Sequence, residues 1–218
     1  RMRQATQELR ARARHARRWV LSCEPTLLMR WLIPRWPQFQ QMHPELQLHL
    51  VAGGGPFSFA DGIDLAIRRD DFALPAGCHA ETLFAERIGP VCRPDRLAQW
   101  CDRPAQEHTP RLRADAPLLQ SRTRPGAWAT WAEYSGQPQP SGPQLQFEHF
   151  YFTLQAAVAG MGVAIGPWQL VRDDIASGVL AAPMGFVEDG SRYCLLSPAP
   201  PAPNGVHAQL LQWLRSQA

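Results

Sequence analysis

The sequence predicts an α/β protein organised in two halves. Short apolar or alternating runs, typical of strands, are separated by stretches in which apolar residues recur at helical spacing. A second α/β unit begins after a Pro-rich, charged stretch at residues 93–116. With 218 residues, of which 45% are hydrophobic, the chain can bury one large core or two smaller ones. No run of about 18 apolar residues occurs, so no membrane span is predicted.

The first half begins with an apolar run at residues 19–22 that predicts a strand. Residues 26–42 carry apolar side chains at helical spacing, and Pro34 and Pro37 should start or kink this helix. Three further runs alternate or are apolar in the manner of strands: residues 46–51, 63–68 and 88–92.

The second half repeats the alternation of strands and helices. Its strands are predicted at residues 118–121, 162–165 and 192–197. Its helices are predicted at residues 127–134, 150–159, 168–177 and 206–216. A short helix around Trp100 lies between the halves, and residues 136–143 form a turn-rich connection.

The positive charge of the chain is concentrated at its N-terminus. Residues 1–18 hold seven Arg and one Glu, whereas the rest of the chain carries more acidic than basic residues. This segment reads as a polar helix with no sustained apolar stripe, which lies on a surface or continues something upstream. A slightly acidic body is not itself a nucleic-acid-binding surface.

The five cysteines are odd in number and form no CxxC pair. This usage is typical of free thiols in a reducing compartment. A redox pair between Cys92 and Cys101 stays open, because a separation of nine residues can close. Together with the absence of an apolar leader in residues 1–18, the thiols favour a cytoplasmic protein.

Several segments, taken in their order along the chain, resemble the effector-binding domain of LysR-type transcriptional regulators. They are RWLIPRWPQFQQMHPELQLHL (30–50), DGIDLAIRR (61–69), LFAERIGPVCRP (83–94), LQAAVAGMGVAIGP (154–167) and LVRDDIASGVLAAP (170–183). The resemblance runs from about residue 10 to the C-terminus. It is the ordered set of segments, rather than any single motif, that is specific.

The resemblance implies two Rossmann-like subdomains joined by two crossover strands, similar to type 2 periplasmic binding proteins. Subdomain I would comprise residues 19–92 and 193–218, and subdomain II residues 93–192. Residues 1–18 would be the end of a linker helix. The effector pocket would lie in the inter-subdomain cleft, where strand ends and helix N-termini converge. An N-terminal winged helix-turn-helix, present in the family, is absent from this chain.

The first candidate site residues, Glu24 and Thr26, follow the first strand at the head of the first helix. The resemblance implies that both line the pocket, although relatives often have Ser or Thr in place of Glu24. A carboxylate facing the cleft would favour an effector with an amine or several hydroxyls. The alternative is that either side chain only caps the helix.

Gly53, Gly54 and Arg68 are candidates at the ends of the next two strands. The triple glycine is no phosphate loop, because no Lys-Ser/Thr follows it. Its bare amides either contact the effector or simply form a tight turn. Arg68 and Arg69 point to opposite faces of the strand, so at most one faces the cleft, and the two aspartates that follow can pair with them locally.

The second half supplies candidates at the corresponding positions. The resemblance places them at strand ends and at the head of a helix: Ser121, Arg122, His149, Phe150, Gly166 and Pro167. Arg122 or Arg124 could hold a carboxylate bidentately. A lone histidine such as His149 is equally an ordinary cap or surface residue.

The sequence predicts no enzyme, metal site or cofactor. It contains neither GxSxG nor HExxH, and its histidines and cysteines have no zinc-site spacing. The predicted function is therefore an effector-sensing regulatory domain of a LysR-type regulator. The alternative is a solute-binding protein of a transport system with the same fold, against which the Arg-rich segment and free thiols weigh.

The resemblance also implies the partners. A small-molecule effector, a carboxylate or an amino acid, would bind in the cleft. A homodimer or homotetramer would form by antiparallel packing of a helix and a strand from opposite halves of two subunits. DNA would be contacted only through the missing N-terminal domain, and no membrane partner is expected.

Overall fold

The computed structural model describes residues 5–7 and 17–218. The helix expected over residues 1–18 lies for the most part outside the described residues. The chain divides into two compact units, which change over within two long strands. Unit 1 comprises Arg1–Ala85 and Ser191–Ala218, and unit 2 comprises Glu86–Gly190. The sequence-based subdomain boundaries, after residue 92 and before residue 193, lie a few residues outside these limits.

The elements of unit 1 begin with the strand β1, Arg18–Cys23, and the helix α1, Pro25–Leu27. A π-helical turn, Leu28–Leu32, joins α1 to α2, Ile33–Met42. The remaining elements follow in chain order: β2 Gln47–Ala52, a 3₁₀ turn Phe59–Asp61, β3 Leu65–Arg69 and, at the end of the chain, α7 Val206–Gln217.

Two long strands belong to both units. β4, His79–Val91, passes from unit 1 to unit 2, and β10, Val187–Ser197, returns from unit 2 to unit 1. The elements between them are a 3₁₀ turn Pro94–Arg96, α3 Leu97–Trp100, β5 Cys101–Asp102, β6 Arg111–Leu112, β7 Leu118–Ser121, α4 Ala127–Ser135, β8 Gln144–Phe147, α5 Phe150–Val158, β9 Ala164–Pro167 and α6 Trp168–Ala176.

The sheet of unit 1 has the order β2-β1-β3-β10. β1 pairs in parallel with β2 and with β3, and β10 is antiparallel to β3. The carboxyl ends of its three parallel strands therefore meet at one edge of the sheet. Its core is built from side chains that are almost completely buried: Leu21, Leu27, Trp31, Leu32, Phe39, Leu65, Ile67, Leu195, Leu210 and Leu214.

Unit 2 repeats this order with different elements, β8-β7-β9-β4. β7 pairs in parallel with β8, a parallel bridge joins Leu118 to Val163, and β4 is antiparallel to β9. Trp128 and Trp131 pack in its core, and the indole of Trp128 donates to the carbonyl of Leu119 at 3.1 Å. Burying each such side chain contributes about 1.5–3 kcal/mol. The two-halved α/β prediction is confirmed.

The helix predicted over residues 26–42 is one helical run with a π turn rather than a broken helix. The N–H of Ile33 donates to the carbonyl of Leu28, five residues back. Pro34 and Pro37 carry no N–H, so the regular α ladder cannot continue through them unchanged. The wider turn keeps Trp31 fully buried, with its ring 5.2 Å from that of Phe84.

Candidate functional site

The carboxyl edge of unit 1 is formed by Ser22, Glu24, Gly53, Gly54 and the end of β3. The chain turns from β1 straight into α1, and Pro25 starts the helix with its preset backbone angle. Glu24 occupies the N-cap position, but its side chain makes no capping hydrogen bond. The capping alternative is therefore wrong for Glu24 in this structure.

The carboxylate of Glu24 points along the edge instead. Its Oε1 accepts the backbone N–H of Arg69 at 3.3 Å, and the hydroxyl of Tyr193 donates to it. Burial raises the pKa of Glu24 above its ordinary value, against the lowering effect of these two hydrogen bonds and of the Arg69 charge. Gly54 lies beside it and leaves ordinary van der Waals space over the Glu24 side chain. The half-buried carboxylate of Glu24, a hydrogen-bond acceptor, thus lies beside the open backbone of Gly54.

Arg68 is a fully buried cation in unit 1, with only 1% of the residue exposed. Its guanidinium donates to the carbonyls of Gly55 and Ile67 and, at 2.8 Å, to the hydroxyl of Ser22. It makes no ion pair with any carboxylate of the described residues. Phe57 covers it, with the guanidinium carbon 4.7 Å from the ring centroid. Arg68 therefore connects the end of β1 to the glycine loop rather than facing solvent.

The glycines that follow β2 differ in the space around them. A Cβ on Gly53 would lie 3.0 Å from Ser22 Oγ and 3.1 Å from Arg68 Nη2, so Gly53 allows Arg68 to reach Ser22. Gly55 has a φ of +65°, a conformation that L-residues with side chains rarely adopt. Gly54 alone of the three is both conformationally ordinary and sterically open.

Thr26 and the acidic residues after β3 complete this edge. Thr26 is buried to 9% exposure in the first turn of the helical run. Arg69 pairs with Asp71 at 2.7 Å, whereas Asp70 accepts from Arg192. The predicted local pairing is thus confirmed for Arg69 and wrong for Arg68.

The carboxyl edge of unit 2 begins at Ser121. Its hydroxyl is buried, lies 2.8 Å from that of Thr123 and accepts the Thr123 N–H. Arg122 points away into solvent and pairs with Glu148, and both side chains are about two-thirds exposed. The arginine that the sequence favoured as a carboxylate holder is therefore a surface ion pair in this structure.

Arg124 is the arginine that the fold buries, with 14% of its side chain exposed. Its Nη2 lies 2.8 Å from Glu86, which is 1% exposed, and 3.9 Å from Asp189, whose side chain is 4% exposed. Its guanidinium also stands over the ring of Phe150, 5.4 Å from the centroid. Both acids lie on the long strands β4 and β10, a placement that no local sequence signal reveals.

The remaining candidates of unit 2 divide into exposed and packed residues. His149 is the exposed N-cap of α5, makes no capping bond and stacks on Tyr151 at 5.2 Å. Gly166 is fully packed, because a Cβ there would lie 2.9 Å from Val91 and 3.0 Å from Val171. Pro167, also buried, starts α6. These two residues pack at the end of β9 and contribute no polar side chain to the edge.

Two other features bear on chemistry. The five cysteines are free, and burial raises the pKa of Cys92 to about 12, which disfavours its reactive thiolate. Over the part of the chain that the structure describes, no cluster of three metal-ligating side chains occurs, and no helix is long and apolar enough to cross a membrane.

Comparison with known proteins identifies the family of this chain. The family profile described as the LysR substrate binding domain matches residues 12–218, nearly the whole chain. The chain belongs to this family. It is an effector-binding domain of a LysR-type transcriptional regulator.

Sequence relatives of this LysR domain are transcriptional regulators rather than enzymes. The regulator TrpI of Pseudomonas aeruginosa is 42% identical over 223 residues, which cover 100% of this chain and 72% of that protein. The glycine cleavage system transcriptional activator of Escherichia coli is 29% identical over 218 residues, which cover 99% of this chain and 69% of that protein. The transport alternative is therefore not favoured.

Solved structures confirm the predicted fold class. The effector domain of the transcriptional regulator AmpR of Pseudomonas aeruginosa superposes with a TM-score of 0.72 at 26% identity, over 92% of this LysR domain and 95% of that chain. The regulatory domain of CrgA from Neisseria meningitidis, at 20% identity and a TM-score of 0.68, shows the same fold, over 92% of this chain and 98% of that one.

Proposed function

We propose that this LysR domain binds a small metabolite at the carboxyl edge of the parallel strands of unit 1, and that the metabolite carries a hydrogen-bond donor recognised by Glu24. The observation that carries the proposal is the half-buried Glu24 carboxylate beside the open backbone of Gly54. An amine or hydroxyl on the effector would satisfy the capacity of this carboxylate to accept further hydrogen bonds. An amino acid, or a small carboxylate that carries a hydroxyl, fits this scheme, because its amine or hydroxyl can donate to Glu24.

Of the candidate ligand-binding residues, four carry polar atoms that are not fully buried: Glu24, the backbone of Gly54, Arg122 and His149. Ser121, Thr26 and Gly53 line the edges from within. Arg68, Gly166 and Pro167 support the edges without offering free groups to a ligand. Phe150 is half-buried, and the guanidinium of Arg124 covers one face of its ring.

A thermal-shift screen of metabolites tests this proposal. The screen should pair each amino acid with its decarboxylated amine, its deaminated acid and a phosphate analogue, because a bound ligand raises the melting temperature by mass action. We expect a hit whose shift is lost in Glu24→Gln and kept in Glu45→Gln, an exposed acid outside the edge. A hit that binds both variants like the wild type would contradict the role of Glu24.

The domain also forms a homodimer in this proposal. Met29 and Ile33 lie one helical turn apart and are 48% and 51% exposed in unit 1, and Leu145 of β8 and Phe152 of α5 are similarly exposed in unit 2. These apolar faces are the helix and the strand from opposite halves that would pack between two subunits. Light scattering should show a dimer for the wild type and a monomer for Ile33→Glu, with Glu45→Gln as control.

The whole protein contacts DNA through a domain N-terminal to this one. The chain spans 72% of the length of TrpI, which leaves room for such a domain in the full regulator. A regulator of transcription acts where the chromosome is, so we place the protein in the cytoplasm. Activation of a reporter gene by the full-length protein, dependent on both the effector and Glu24, would support this assignment.

A further inference from the structure

The C-terminal helix of unit 1 carries a buried histidine whose polar atoms have no partner. His207 is the second residue of α7 and is 6% exposed. Both of its ring nitrogens are buried and make no hydrogen bond with the residues that the structure describes. A buried unsatisfied polar group costs about 1–3 kcal/mol. Such a cost indicates either a tolerated defect or a functional role.

The surroundings of His207 form a short chain of charged and polar groups. Its ring lies 6.2 Å from the ring of His79, on the unit 1 part of β4. His79 Nε2 lies 2.8 Å from Glu81 Oε1, and Arg215 donates to Glu81 at 3.2 Å and to the carbonyl of Thr82 at 3.0 Å. The first turn of α7 therefore meets β4 through two imidazoles, and its last turn through an arginine.

We propose that His207 is a proton-operated latch: the neutral imidazole lets α7 lie against β4, and protonation loosens the N-terminal half of that helix. A proton on His207 would place a charge in a buried site, next to a second histidine and at the positive end of a helix. The carboxylate of Glu81 would partly offset this positive charge, but it already contacts His79 and Arg215.

The other ionisable groups on the elements around α7 are engaged elsewhere. On the α2 side, Arg35 donates to the carbonyl of Trp31, and His43 lies 3.8 Å from Glu45. On β10, burial raises the pKa of the Cys194 thiol, so it stays neutral. His207 is therefore the group through which a proton can change this contact, since its buried ring has no hydrogen-bond partner among the described residues.

The direction of the pH effect follows from the burial of His207. Burial, and secondarily His79, lowers the pKa of His207 below its ordinary value of 6.5. The unfolded chain then binds a proton that the folded chain does not, so stability is fully present above about pH 6.5 and is lost as pH falls. The pKa of Glu81 is also lowered, chiefly by its hydrogen bond from His79, but its stabilising effect is lost only below pH 4.5. The pH ranges in which the contributions of His207 and Glu81 to stability are lost are therefore separate.

Thermal unfolding between pH 5.5 and 8 tests the latch. We expect the melting temperature of the wild type to fall on acidification by about 2–4 °C more than that of His207→Phe, and that variant to be at least as stable as the wild type at pH 7. His108→Gln, which changes an exposed histidine of unit 2, should retain the wild-type slope. Equal slopes for the wild type and His207→Phe would overturn the proposal.

Two measurements on the wild type keep the proposal falsifiable if His207→Phe does not fold. Titration of the His207 ring by NMR should give a midpoint below 6.5. Hydrogen exchange at pH 5.5 should show a loss of protection in residues 206–210 and 79–82 compared with pH 7.5, after correction for intrinsic rates. A midpoint at or above 6.5, or unchanged protection, would contradict the latch.

Discussion

The two carboxyl edges of this LysR domain share a strand order but not a chemistry. Unit 1 presents a half-buried carboxylate and bare backbone above a buried arginine, whereas unit 2 presents hydroxyls, aromatic rings and an arginine braced by two acids. The topology fixes where the strand ends lie, and the loops after each strand fix which side chains they carry.

The largest expected effect on stability distinguishes the buried Arg68 from the exposed Arg122. Arg68→Met removes three hydrogen bonds and deprives the buried oxygens of Ile67 and Ser22 of this donor, so we expect a loss of about 3–4 kcal/mol in the free energy of unfolding. Arg122→Met breaks only an exposed ion pair and should change it by less than about 1 kcal/mol. Chemical denaturation of both variants measures the difference. Equal losses would show that Arg68 is no structural connection.

The second prediction concerns the contacts of Arg124 with Glu86 and Asp189 in unit 2. Arg124→Gln leaves the buried carboxylates of Glu86 and Asp189 without their shared cation, and we expect a loss of about 2–3 kcal/mol. Arg122→Gln is the matched control, two residues away and exposed. Denaturation with urea measures both variants. A loss within about 0.5 kcal/mol for Arg124→Gln would mean that the cluster stabilises unit 2 little.

A third, smaller effect distinguishes two neighbouring glycines. Gly53→Ala would force Ser22 or Arg68 to move, and we expect a loss of about 1–2 kcal/mol. Gly54→Ala meets only ordinary contacts and should lower stability by less than about 0.5 kcal/mol, while weakening effector binding if the backbone there is a contact. Melting temperatures and effector titrations of both variants decide this, and reversed stabilities would refute the packing described.

The smallest expected effect is a gain in stability rather than a loss. Because burial raises the pKa of Glu24, the folded chain holds a proton there that the unfolded chain releases, and stability falls as pH rises above 4.5. Glu24→Gln keeps an acceptor for the Arg69 N–H but removes this penalty. We expect it to melt higher than the wild type at pH 7, with the difference vanishing towards pH 4. A lower melting temperature at pH 7 would contradict the burial of this carboxylate.

Local pattern predicted most of the fold but missed the short strands β5, β6 and β8 and the first parts of β4 and β10. Helix α4 and strand β7 were found where periodicity was strong, whereas β4 was expected only from residue 88 because Glu81, Glu86 and Arg87 interrupt its apolar pattern. β8 was missed, since QLQF follows a turn-rich segment and its residues are largely exposed. Only pairing with β7 makes this segment a strand.

The candidate residues lie at the strand ends and helix starts where they were expected, but the directions of some side chains were not predicted. Spacing and resemblance led to Arg122, yet the turn after β7 sends that side chain to solvent and buries Arg124 against acids 38 and 65 residues away. Arg68 was expected at a pocket and is instead sealed under Phe57. Side-chain direction depends on contacts between distant segments, which no local pattern contains.

A crystal structure with the bound effector tests the central claim most directly. The account predicts an amine or hydroxyl of the ligand within hydrogen-bonding distance of a Glu24 carboxylate oxygen, with the ligand against the Gly54 backbone. An effector bound without any contact to Glu24, or bound in the groove lined by Gln38, Met42 and Trp213, would contradict it.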